Sequence, residues 1–213
     1  IGYNALLSTT GSNNTAVGTS ALEDNAGGTN NVAVGIDALQ ENTSGSDNTG
    51  VGAQALEANT SGMYNTSVGM QAMHANLVGD TNVAVGYQAL YTNTDSDHNT
   101  AVGYQALKLY DNTTDNFNAY NTAIGFQAGL NATGAANRNT FVGAMAGYEN
   151  TTGELNTAIG YYALQSNQTG DRNVAIGDYA LDSFTGSSTI AVGEYALQAC
   201  TTGEENTAIG HRS

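Results

Sequence analysis

The sequence predicts an all-β chain: a parallel β-solenoid, or β-roll, of about 12–13 coils with one coil per ~17-residue repeat. Three observations carry this. A glycine recurs at near-constant spacing along all 213 residues. A Thr/Val-Ala-Val/Ile triplet precedes it. Asn- and Gly-rich turn residues fill the remainder of each repeat.

The recurring glycines are Gly2, Gly18, Gly35, Gly52, Gly69, Gly86, Gly103, Gly125, Gly143, Gly160, Gly177, Gly193 and Gly210. Steps are 16 or 17 residues, except 22 from Gly103 to Gly125 and 18 from Gly125 to Gly143. The residue before each glycine is Val or Ile. Thr, Val or Ile stands three before it, and the position between is usually Ala. β-Branched residues two apart share one face of a strand, and β-branching suits a pleated surface. The triplet therefore reads as a short strand. Its inner face is expected to carry Val17, Val34, Val51, Val85, Val102, Ile159 and Ile176, with the Ala opposite.

From Ala5 to Ala196, Ala follows three after each glycine and usually precedes Leu or Met, so Leu22, Leu39, Leu56 and Leu90 are expected to close the core. Ala and Leu also favour helix, but the stretch is too short to hold one, and an extended segment is expected. Asn recurs seven after the glycine (Asn25, Asn42, Asn59) and four before the next (Asn31, Asn48, Asn65). Asn and Gly tolerate positive φ, and stacked Asn amides can bond from copy to copy. These asparagines are expected to be structural.

Composition narrows the rest. The chain holds no proline, in keeping with a backbone paired on both sides. With no tryptophan and few Phe, the core must be thin, which favours oligomers. Nineteen acidic residues face four basic ones, a net charge of −15. That excludes general nucleic-acid binding, which needs Lys and Arg against phosphate, and disfavours anionic membrane surfaces. No apolar run is long enough to insert in a membrane. The whole chain, 1–213, is expected to be one repeat domain with a loop insertion at 108–120, and a segment of a longer array.

No catalytic constellation or cofactor motif is present, and the chain is not expected to be an enzyme. His74, His98 and His211 stand at different phases of the repeat and match no metal-ligand spacing. Asp95, Asp97, Asp111 and Asp115 cluster without an EF-hand pattern, so at most weak Ca²⁺ binding is expected. The lone Cys200 takes a slot that other repeats give to Asn. Two sets of residues are candidates for contact with other molecules. Aromatics gather after the glycine at Tyr87, Tyr104, Phe126, Tyr161, Tyr162, Tyr179 and Tyr195, and the insertion adds Tyr110, Phe117 and Tyr120. Exposed Tyr makes low-entropy contacts, so this strip reads equally as coil packing or as a partner- or sugar-binding face. Four Asn-x-Ser/Thr triplets, at Asn42, Asn59, Asn150 and Asn167, share one slot; they are glycosylation candidates or the chance product of Asn/Thr-rich turns.

The Asn-x-Ala-Val/Ile-Gly-x-x-Ala core resembles the head repeats of YadA-type trimeric autotransporter adhesins. It is also similar to the Asn-Thr-Ala-Val-Gly-Tyr-Gln-Ala-Leu repeats of phage tail fibres and bacterial surface proteins, a form seen here at Asn99 to Leu107. The resemblance implies a left-handed β-roll, three chains side by side, and a place outside the cell, on a cell surface or on a virion. The expected function is a non-catalytic structural or adhesive fibre segment. Its partners would be further copies of itself, as a homotrimer or an end-to-end filament, and a host surface or glycan. The alternative is a ligand-binding solenoid for carbohydrate or ice. Thr15, Thr49, Thr66, Thr100, Thr122, Thr140, Thr157 and Thr207 form a rank that ice binding would need facing outward. Val32, Val83, Val174 and Ile190 in the same slot suggest that it faces inward.

Overall fold

The computed structural model describes residues 1–111 and 118–213. It forms twelve three-residue strands: β1 (Thr15–Val17), β2 (Val32–Val34), β3 (Thr49–Val51), β4 (Thr66–Val68), β5 (Val83–Val85), β6 (Thr100–Val102), β7 (Thr122–Ile124), β8 (Thr140–Val142), β9 (Thr157–Ile159), β10 (Val174–Ile176), β11 (Ile190–Val192) and β12 (Thr207–Ile209). They pair in sequence order as one parallel sheet. The fold is thus a parallel β-solenoid, with one strand and one long turn per repeat. Register is kept residue for residue, Val83 opposite Thr100 and Val85 opposite Val102. It survives the 22-residue step, where Thr100 still faces Thr122. The flanks of the insertion are regular coil as well. Leu109 N–H donates to Leu130 O (3.2 Å), and Ala119 N–H to Asp97 O (3.2 Å).

The strands face the opposite way from the sequence expectation. In β1 the middle residue Ala16 is buried, while Thr15 and Val17 point outward, Val17 being 43% exposed. Val34 and Ile176 likewise face solvent, as does Ile159; Val51, Val85 and Val102 are half-buried. The reason is volume. Leu22, Leu39, Leu56 and Leu90 are fully buried and fill the coil from the side opposite the strand. Little more than a methyl group fits beneath the sheet: a Cβ added at Gly50 would lie 3.3 Å from Leu39 Cδ1. The period-2 pattern marks two faces, and the narrow bore gives the inner one to the smaller residue.

The segment after each glycine is neither helix nor extended. It is a run of turns in which the second and fourth residues hold positive φ, +59° at Gln54 and +53° at Leu56. A left-handed non-glycine residue costs roughly 1–2 kcal/mol. Here it lets alternate N–H groups reach both neighbouring coils: Gln54 N–H donates to Ile36 O (2.8 Å) and Leu56 N–H to Ala72 O (3.1 Å). The recurring glycine itself cannot be replaced. Gly52 has φ +132°, and a Cβ there would stand 2.5 Å from the carbonyl oxygen of Gly69 in the next coil.

Two buried asparagine ladders run along the rod. In one, Asn42 Nδ2 donates to Asn25 Oδ1 (2.6 Å) and Asn59 Nδ2 to Asn42 Oδ1 (2.7 Å). In the other, each side chain bridges two coils. Asn65 Oδ1 accepts from Asn82 N–H (2.9 Å), and Asn65 Nδ2 donates to Gly79 O (2.7 Å). Both ladders are fully buried at these positions, so the amides replace water for the turn backbone.

Some coils break the core pattern in a compensated way. Phe141 occupies the strand slot normally held by Ala, and the Leu slots on either side of it are Gly129 and Gly147. A Cβ on Gly129 would lie 2.7 Å from Phe141 Cδ2, so the ring fills the space two leucines leave. In the first ladder, Tyr110 and Ala132 replace successive asparagines, and both are fully buried.

Candidate functional surfaces

The strand reversal places a regular, repeated surface on the outside of the sheet. Two columns of outward side chains run the length of the sheet. One opens each strand with Thr in eight of the twelve strands, and with Val or Ile in the others; the second closes each strand with Val or Ile throughout. Neither column carries a charge, in a chain of net charge −15. Ile36, Met70, Tyr104, Phe126 and Tyr161, each one residue after a glycine, are also exposed. Sequence reasoning missed this surface because it assigned β-branched residues to the core.

The aromatic strip divides into two ranks. Tyr87, Tyr104 and Phe126 stand one residue after the glycine and stack successively, with centroids 5.3 Å apart at both steps. Tyr162, Tyr179 and Tyr195 stand two after it and also stack, at 5.5 and 5.2 Å. Tyr161 meets Tyr162 edge-on at 4.2 Å, and the Arg212 guanidinium lies 5.4 Å from the Tyr195 ring centre. Ring faces inside each stack are turned to neighbouring coils, leaving edges outward. A sugar stacked flat on an inner ring would have to displace a neighbour.

Among the insertion aromatics, Tyr120 is exposed and stacks on His98 at 4.8 Å. Tyr110 is a correction. It lies seven after Gly103, in the ladder slot, where burial is complete and its hydroxyl donates to Asn137 Oδ1 (2.9 Å). It is a core residue with no surface for a partner. Phe117 lies outside the described residues, as does Asp115.

Asn42, Asn59, Asn150 and Asn167 are fully buried. Their amide nitrogens are engaged in the ladder, Asn167 Nδ2 donating to Asn150 Oδ1 (3.0 Å) and to Gly170 O (2.9 Å). Attaching a glycan to that nitrogen in the folded rod would break the ladder.

The acidic residues cap backbone rather than converge. Asp97 Oδ1 accepts from Asp80 N–H (2.7 Å), and Asp111 Oδ1 from Thr94 N–H (3.2 Å). Among the described residues, no three His, Cys, Asp or Glu side chains gather as metal ligands would. Burial pushes the Asp97 carboxyl above its ordinary range. It does the same at Asp95, helped by the neighbouring Asp111 charge. Burial also raises Glu57, opposed by His74, whose Nδ1 lies 3.2 Å from Glu57 Oε2. Asp182 is raised by burial too. Cys200 is a half-buried free thiol in the first ladder's slot.

A glutamine ladder escaped the sequence reading. Gln71, Gln88, Gln105 and Gln127 each donate Nε2 to the Oε1 of the preceding coil's Gln, at 2.9–3.1 Å. Its signal was a Gln recurring two after the glycine. No helix is long and apolar enough to cross a membrane among the described residues. No protein family, curated protein or solved structure matches the chain.

Proposed function

We propose that this chain is a non-catalytic structural and adhesive segment of an extended fibre, displayed on a cell surface or virion. The observation that supports it is the single register shared by all twelve strands. Each coil bonds to the next as that one bonds to its successor, so length grows without any new packing problem. Eleven inter-strand steps of ~4.8 Å give a rod of about 53 Å. The outward rank of side chains is a surface repeated along that length, as an adhesive element requires. Left-handed winding and association as a side-by-side trimer or an end-to-end filament belong to the same proposal, supported by the repeat motif.

Small-angle scattering joined to light-scattering mass tests it. A rod-like profile with a cross-section of one coil, or of a few coils side by side, is expected. A compact isotropic particle would refute the reading. A second reading, a ligand-binding solenoid, is favoured by one observation: the Thr rank, expected inside, stands outside.

A further inference from the structure

We infer that the outward face of the sheet is an ice-binding surface, whose ligand is crystalline water. The inference names what an adhesive rod would hold, and to that extent rests on the adhesive reading.

Three features of the face carry it. The first is the state of its hydroxyls. One rank of turn threonines is used internally: the hydroxyls of Thr43, Thr60, Thr133, Thr151 and Thr185 each donate to a carbonyl one coil on, at 2.8–2.9 Å. The side-chain hydroxyls of the eight strand threonines, among them Thr100 and Thr122, have no hydrogen-bond partner among the described residues. Their hydroxyls are left to water, as a repeated donor and acceptor set. Each also carries a γ-methyl, and Val or Ile stands two residues on, so every coil presents polar and apolar groups in the same arrangement.

The second is two-dimensional order. Strands in register repeat at ~4.8 Å along the rod, and residues two apart in a strand repeat at ~6.6 Å across it. The pairing of Thr100 with Thr122 and of Thr122 with Thr140 keeps the columns continuous through the two irregular coils. Liquid water has no use for a lattice of side chains. A crystal does, because waters ordered at one coil sit correctly for the next. Where Val32, Val83, Val174 or Ile190 replaces Thr, the β-branched shape persists and the column loses only a hydroxyl.

The third is the exclusion of charge. Neither column holds an ionisable side chain, although acidic residues crowd the rest of the rod. Charged groups bind water in their own radial order and would disrupt a lattice. A second copy of the chain fits the face less well, since closing two such faces would bury the free hydroxyls and require each to find a partner across the contact.

The test is the gap between melting and freezing temperatures of an ice crystal in a concentrated solution of the chain, with crystal shape recorded. The comparison proteins are T100Y/T122Y, which raises two bulky rings in the centre of the rank, and T49Y/T66Y as an independent pair should the first fail to fold. E41Y, on an exposed turn away from the strands, is the control. The wild-type chain and E41Y should open a gap and facet the crystal. Either Tyr pair should lose the gap while keeping the wild-type melting curve by circular dichroism. No gap in the wild type, or an undiminished gap in a folded Tyr pair, overturns the inference. So does a wild-type oligomer whose mass falls to monomer in a folded Tyr pair, because the face would then be covered by copies. A rod-like scattering profile with no gap would fail this inference alone; a compact profile would fail the fibre reading.

Discussion

Phe141→Ala should open one of the largest cavities that a single substitution can make in this core. The ring is fully buried, and it fills the space of two absent leucine side chains, at Gly129 and Gly147. Buried Phe-to-Ala changes cost about 3–5 kcal/mol, with the cost rising as the site fails to collapse. Here collapse is blocked. The residues that would have to move inward are glycines with no side chain, held by Gly129 N–H to Ala146 O (2.9 Å) and Gly147 N–H to Ala163 O (2.9 Å). The loss should fall at the upper end of that range, and be confined to coils near β7 to β9, because each coil meets only its neighbours. Hydrogen exchange is the suitable assay, since it reads local opening and does not assume that a repeat protein unfolds as one unit. Protection should fall at the amides of Thr140, Gly143 and Gly147, with those of Val32 and Thr49 unchanged. The decisive variant is the triple Phe141→Ala, Gly129→Leu, Gly147→Leu. It writes the ordinary pattern into both coils, and Leu already holds the required backbone elsewhere, at φ +52° in Leu90 against +60° in Gly129. Most of the lost protection should return. A triple variant as open as the single one would refute the idea that Phe141 and the two glycines form one compensated unit.

Two further outcomes follow from the buried polar structure. Asn65→Ala removes the acceptor for Asn82 N–H, leaving that buried amide unpaired, and takes from Gly79 O one of its two donors, the other being Asn76 Nδ2 (3.1 Å). At roughly 1–3 kcal/mol for an unsatisfied buried group, denaturant melts should show a loss well above that of Thr60→Ala, whose hydroxyl lies at the surface; equal losses would contradict the ladder's role. The pH dependence should also be unusual for an acidic protein. Burial raises the carboxyls of Glu57, Asp95, Asp97 and Asp182 in the folded chain. A raised group holds its proton to higher pH when folded than when unfolded. Its contribution is therefore complete below the unfolded value, near ~4, and lost as pH rises through the higher folded value. Self-repulsion from the net −15 charge acts in the same direction. The melting temperature should fall between mildly acidic and neutral pH, and a rise over that interval would refute the assignment.

The period, the parallel coil and the buried leucines were legible because glycine marks each turn and Leu22 or Leu39 is large, apolar and constant in phase. The orientation of the strand was not. Val17 and Ala16 are both apolar, and hydrophobicity alone prefers to bury the larger. What decides is the bore of the coil, a quantity set by Leu39 and its copies from across the core. The positive φ at Leu56 and Gln54 was hidden for a similar reason: no local preference asks for it, and hydrogen bonds to the coils above and below impose it. Tyr110 was misread through its neighbourhood. Counted by phase from Gly103 it stands in a ladder slot; counted as part of 108–120 it looked like a loop residue. The aromatic positions were correctly gathered after the glycine. Their division into two ranks, with inner faces stacked along the rod, depends on a one-residue offset that separates Tyr104 from Tyr179.

Coils of 16, 17, 18 and 22 residues pair their strands with no change of register, as Val174 with Ile190, Val83 with Thr100, Thr122 with Thr140 and Thr100 with Thr122. The rod is therefore a ruler graduated in coils, and residue number does not set its length. A coil of different length leaves every graduation above and below where it was. Such a scaffold can vary what it displays at a chosen level without altering how far it reaches.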